Sequence, residues 1–252
     1  MKGVGKLCGE EKNLVQSHII PEFMYGFLFD ENHKFYLTSS EDLKQGSSRS
    51  RKRNTGIYDT TILCAKCDNE VIGQYETYAS KVIYGKEISP SVAPVLKNYF
   101  NAKGNQWSVC SNIDYKKFKL FLLSILWRAS ISGQEMFKEV KLGRHEAIIR
   151  QMLLDENPGE ESDYPILIFT TAHDKNLPQD FVIQPRKFKF QSHHMFSFPI
   201  TGMVYMFIVS SHTKADKVLY NTLKKDNTMT MERVPAGRGW EFLLNHLGVS
   251  VK

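Results

Sequence analysis

Long apolar runs are scarce in this chain. The longest, Phe118 to Trp127, is broken by Lys119 and Ser124 and falls well short of the roughly 20 residues a membrane-spanning helix needs, so no membrane partner is expected. The start, Met1-Lys2-Gly3-Val4-Gly5-Lys6-Leu7, has neither the apolar core nor the small-residue cleavage site of a secretory leader, and a cytoplasmic protein is the expectation. Cysteine is equally sparse. Four in 252 residues are too few for a disulfide scaffold. Cys64 and Cys67 stand in Cys-x-x-Cys register, which in a reducing compartment favours a metal over a disulfide, while the isolated Cys110 reads as a buried apolar thiol. There is no GxGxxG phosphate loop, GxSxG elbow or HExxH pair, and no internal repeat, so the commonest dinucleotide, serine-hydrolase and zinc-protease signatures are missing.

What is present is the composition of an ordinary globular chain, 42% hydrophobic and 24% charged, long enough for one large or two modest domains. The net charge of +6 permits contact with phosphate backbones without requiring it. Residues 1 to 90 carry 12 Lys+Arg and 12 Asp+Glu, so the surplus belongs to residues 91 to 252, which would help hold a nucleic acid.

Along the chain, Leu14 to Ile20 reads as a strand presenting His18 near its end, closed by Pro21, which has no N–H to donate. Phe23 to Phe29 is aromatic-rich without a decisive period, and His33 falls in a turn. Residues 39 to 55 turn to Ser, Gly, Lys and Arg. Such a segment has little to bury and should be mobile, but Arg49, Arg51, Lys52 and Arg53 also make a ready phosphate contact. Tyr58 to Leu63 reads as a second strand leading to Cys64 and Cys67, and Asp68 or Asn69 as the cap of a helix through Val82 that projects Glu76. Ile88 to Ser91 is a boundary. Beyond it, Tyr115 to Ser130 should be a helix buried on most sides, followed by a helix near His145 to Leu154, an acidic loop, several strands between Ile166 and Ser210, and a closing helix from Trp240.

The string Ser17-His18-Ile19-Ile20-Pro21, then Asp59 five residues ahead of Cys64-Ala65-Lys66-Cys67, resembles the HNH, or ββα-metal, endonuclease family. The resemblance covers residues 5 to about 85, and the two strings in this order are more specific than either alone. It implies an α+β chain: an HNH-like ββα-metal domain with a zinc knuckle (1–88), then a helical core segment and a small, mainly antiparallel β-sheet (89–252) for binding, dimerisation or sensing. It also implies phosphodiester hydrolysis of nucleic acid, most simply double-stranded DNA, in a setting such as phage defence or a toxin. His18 would be the general base, and Asp59, with Asp68 or Glu76, would hold a catalytic Mg²⁺ or Mn²⁺. Cys8, Cys64 and Cys67 would hold a structural Zn²⁺.

The chain also departs from the family pattern. Ser17 stands where a first metal ligand is usual, Asp68 replaces the His after the second Cys, and no His follows on the helix. Gly5 occupies the place of a fourth knuckle cysteine, leaving a water or His33 to complete the zinc site. The competing expectation is therefore a catalytically inactive module that binds nucleic acid or a partner protein, and a homodimer is a further one.

Overall fold

Short antiparallel pairings, not long strands, build the N-terminal third. Strands β1 (Lys2–Val4) and β2 (Glu11–Asn13) form a hairpin whose turn carries Cys8. Strand β3 (Ser17–His18) pairs with β6 (Tyr58–Asp59), and between them in sequence β4 (Phe35–Leu37) pairs with β5 (Arg51–Arg53). A π-helical turn, Cys67–Ile72, runs directly into helix α1 (Gly73–Tyr84). These coordinates are a computed structural model that describes residues 2–37, 51–84, 88–177, 180–190, 193–210 and 223–247. Arg49 lies outside the described residues.

The β3 and β6 strands are much shorter than their apolar runs suggest. Ile19, Ile20, Ile62 and Leu63 are all fully buried, and an extended strand turns only every second side chain to one face. The chain leaves the ladder after two residues and buries consecutive side chains instead. Residues 51–53, expected within a mobile loop, form a strand, because their backbone pairs with residues 35–37 and Phe35 is buried against Tyr25.

Helix α2 (Tyr115–Ile131) is the expected central element. Asp114 caps it by accepting from the Lys117 amide, and every residue except Lys116 and Lys117 is buried. Helix α3 (His145–Leu154) packs on it. The second half of the chain adds a seven-stranded sheet in the order β10 (Arg186–Phe190), β11 (His193–Ile200), β12 (Met203–Val209), β9 (Ile166–Thr170), β13 (Met229–Arg233), β8 (Gln106–Ser111) and β7 (Val95–Phe100). All its pairings are antiparallel except that of β13 with β9. One face packs against α2, and the other carries helix α4 (Gly239–Leu247) through Leu243 and Phe242. The open edge, β7, leaves Val95, Leu96, Tyr99 and Phe100 exposed, a composition that lets a sheet edge accept another strand. The chain is thus mixed α+β, with four helices and one large, mostly antiparallel sheet among the described residues. One apolar cluster gathers residues from Leu7 to Met231 on both sides of residue 88, and a smaller one gathers Leu177, Val204 and Leu243.

Lys119 shows what α2 does with a buried charge. Its Nζ donates to the Tyr115 hydroxyl at 2.9 Å and to the Glu160 carbonyl at 2.5 Å, pinning the acidic loop. Burial lowers its pKa from 10.5 to about 8, against the opposing pull of Asp163, Glu160 and Glu161. Between those values the unfolded chain binds a proton that the folded chain does not, so stability rises with pH. From about pH 7 to about pH 9.5 the wild type should gain about 2 kcal/mol relative to Lys119→Met. Urea unfolding at both pH values checks this; parallel pH profiles would show that Lys119 does not titrate early.

Candidate metal centre and the His18 face

Three cysteines meet because the β1–β2 hairpin docks along the second strand of the module. The Lys6 amide donates to the Ile62 carbonyl and the Val15 amide to the Leu63 carbonyl, and Leu14 bridges Cys64. In the hairpin turn the Gly5 amide donates to the Glu10 carbonyl and the Gly9 amide to the Gly5 carbonyl, with Gly9 in the left-handed region at φ +79°. This places Cys8 against the start of the helical turn at Cys64-Ala65-Lys66-Cys67. The sulfurs of Cys8, Cys64 and Cys67 all lie within 4.8 Å of one another, and Cys8 Sγ is 4.0 Å from Cys64 Sγ.

These residues fit a zinc ion. Tetrahedral Zn–S bonds of about 2.3 Å put ligand sulfurs about 3.8 Å apart, close to the observed spacing. A disulfide is excluded at 4.0 Å, and all four cysteines are free. Burial alone would raise the Cys64 pKa, but hydrogen bonds from the Cys67 amide, the neighbouring thiols and the Lys66 amide outweigh it and hold the pKa below the usual thiol value. Cys67 is pushed up to about 12 by its burial and by its two thiol neighbours. A bound cation would supply the charge that lets all three ionise. Gly5 adjoins the cluster: a Cβ there would lie 3.0 Å from Cys8 Sγ. His33, the suggested fourth ligand, is not in the cluster; it is exposed at φ 55° and stacks on Phe29 at 4.0 Å.

The carboxylates expected at a catalytic metal are otherwise engaged. Asp59 is buried, and both its oxygens are taken. Oδ1 accepts from the Thr61 amide at 2.9 Å and hydroxyl at 2.7 Å, and Oδ2 from the Ser132 hydroxyl and Gly133 amide, each at 3.0 Å. Burial raises its pKa, but these four donors together hold it below the usual carboxylate range. Its geometry is that of a fastener for the turn after α2. Asp68 accepts the Ser17 hydroxyl at 2.6 Å, and the turn that it was expected to cap starts at Lys66 without a side-chain cap. Glu76 pairs at 2.7 Å with Arg128, whose guanidinium is almost fully buried on α2 and also donates to the His18 carbonyl at 2.5 Å.

His18 does not share a site with Asp59. In the β3–β6 register Ser17 stands opposite Asp59 and His18 opposite Tyr58, and successive residues of a strand point to opposite faces. The imidazole instead meets Glu22 Oε2 at 2.8 Å and the Thr55 hydroxyl at 3.1 Å through Nε2, with Tyr58 edge-on. An ionised Glu22 only accepts, so Nε2 carries a proton and the nitrogen left for base chemistry is Nδ1. Glu22 also accepts from the Gly56 amide at 2.9 Å, tying this face to the segment that follows β5.

No family model, no curated protein and no solved structure matches this chain. Its chemistry is therefore read from its own residues. Arg51 and Lys52 on β5 are exposed and Arg53 is half-buried, and the strand ends two residues before Thr55. Sequence reasoning missed Glu22 and Arg128. The first could have been found from its spacing of four residues after His18. The second could have been found from the rule that a cation inside an apolar helix needs a partner.

Proposed function

We propose that the N-terminal third is a metal-clamped, HNH-like module that binds the backbone of double-stranded DNA through Arg51, Lys52 and Arg53 beside His18, without an Asp59-centred hydrolytic site. The observation that carries this reading is the saturation of Asp59. A carboxylate with four donors has no lone pair left for Mg²⁺ or Mn²⁺. The basic strand that leads to Thr55 on the His18 face exposes Arg51 and Lys52 and half-buries Arg53. A second reading, cleavage with a divalent ion held elsewhere, is favoured by one feature: the His18 side chain is about one quarter exposed on that same face.

The two readings separate in one set of experiments. Binding to a short duplex should weaken with salt, and the triple variant Arg51→Gln/Lys52→Gln/Arg53→Gln should reduce the slope of log K against log salt by about 2.7, roughly 0.9 for each lost phosphate contact. An unchanged slope would remove β5 from the contact. Plasmid should stay intact with Mg²⁺ or Mn²⁺. Nicking abolished by chelator and by His18→Ala would replace the binding module with the nuclease.

A further inference from the structure

The inner face of the seven-stranded sheet is wider than the helix packed on it. Near the start of α2, part of that face is the floor of a cavity of about 490 Å³, within the range of small-molecule sites. The strand register fixes what lies on the floor. Met203, Thr170 and Arg233 form one row across β12, β9 and β13; Tyr205, Ile168 and Met231 form the next. Phe118 of α2 and Ile83 in the last turn of α1 close it from above.

Two properties of the lining define an occupant. Methionine at positions 203, 229 and 231 gives an apolar surface of unbranched, polarisable side chains that adapts to a guest. Among the described residues no aspartate or glutamate lines the cavity, whereas Arg233 and His173 both do. Among the described residues the Arg233 guanidinium makes no ion pair. Both ring nitrogens of His173 are shielded from solvent, and the Val234 backbone is the polar group nearest to hydrogen-bonding the ring. Arg233 is therefore the group that an anion entering the cavity would pair with, and the His173 ring lies close enough to it to add a polar contact.

We propose that this cavity binds a small amphiphile, its apolar body on the Met203, Met229 and Met231 floor and its carboxylate held by Arg233 and His173. The site is separate from the metal centre and from the His18 face, and the proposal is independent of the nucleic-acid reading. The alternative of a merely greasy cleft predicts no preference for charge.

Titration calorimetry of the full chain with decanoate, decanol and decyltrimethylammonium tests it. One saturable site for decanoate is expected, with decanol weaker and the cation not bound. Arg233→Gln should weaken decanoate about 10- to 100-fold, the range of a charge-assisted hydrogen bond, and leave decanol unchanged. Met231→Trp should fill the cavity and abolish both; Ile83→Trp does the same from the roof if the first variant unfolds. Equal binding of decanoate and decanol, indifference to Arg233→Gln, binding that survives both tryptophans, or no saturable binding would each overturn the proposal.

Discussion

Arg128→Met should lower folding stability by about 3 kcal/mol, the low end of the usual loss when one member of a buried ion pair is removed, because the Glu76 side chain is half-buried while Arg128 is fully buried. The guanidinium is about 1% exposed and touches three elements. Nη1 donates to the His18 carbonyl, Nη2 pairs with Glu76 of α1, and Nε donates to the Ser124 carbonyl of α2. Methionine fills much of the same volume, so little of the loss is cavity formation. The loss comes from a Glu76 carboxylate left without its cation and a carbonyl left without its donor. Adding Glu76→Leu should therefore recover a large part of the loss, because replacing both partners of a buried pair with apolar groups is often close to neutral. Urea unfolding of the wild type, both single variants and the double variant reads the coupling directly. Strictly additive losses, or a cost below about 1 kcal/mol for Arg128→Met, would mean that the pair does not hold β3 and α1 to the core.

The same contact shows what local sequence reveals and what it does not. Helix α2 is legible because Phe118, Leu122, Ile125, Leu126 and Ala129 repeat at helical spacing, and the helix is buried as that pattern demands. The thiol cluster is legible in outline because Cys-x-x-Cys is a local motif. The role of Asp59 is not. Two of its four donors come from Ser132 and Gly133, more than 70 residues away, and no spacing around Asp59 refers to them. Strands β7 and β8 hide for another reason. The buried positions of β8 are Ser108 and Cys110, while Trp107 and Val109 are only partly buried, so apolar and polar residues do not alternate with burial. In β7 every residue is exposed, so burial on one face does not impose an alternating pattern. His18 ends strand β3, as the apolar run closed by Pro21 predicts, but its partner across the ladder depends on register. A shift of one residue exchanges the faces, and sequence alone does not set it.

Purified protein is expected to carry close to one zinc per chain, and Cys64→Ser to lose it. With free Zn²⁺ about 1,000-fold above its dissociation constant, the metal should add about 4 kcal/mol to stability, and chelation should remove that gain. The three thiols come from the β1–β2 turn and the start of the π-helical turn, so the ion would cross-link two segments more than 50 residues apart. Gly5→Cys gives a sharper test. Gly5 sits beside the cluster in a backbone conformation open to any residue, and a fourth thiolate there would complete a closed tetrahedral site. Its Cβ would lie 3.0 Å from Cys8 Sγ, a close approach that the end of the Cys8 side chain must yield to by a few tenths of an ångström. The variant should therefore gain more in melting temperature from Zn²⁺ than the wild type does, with metal affinity raised at least about tenfold, all under reductant so that no disulfide contributes. Such a metal-dependent gain would come from coordination and not from packing. A wild type that is metal-free and melts identically with and without Zn²⁺ would leave Cys8, Cys64 and Cys67 as free thiols and nothing more.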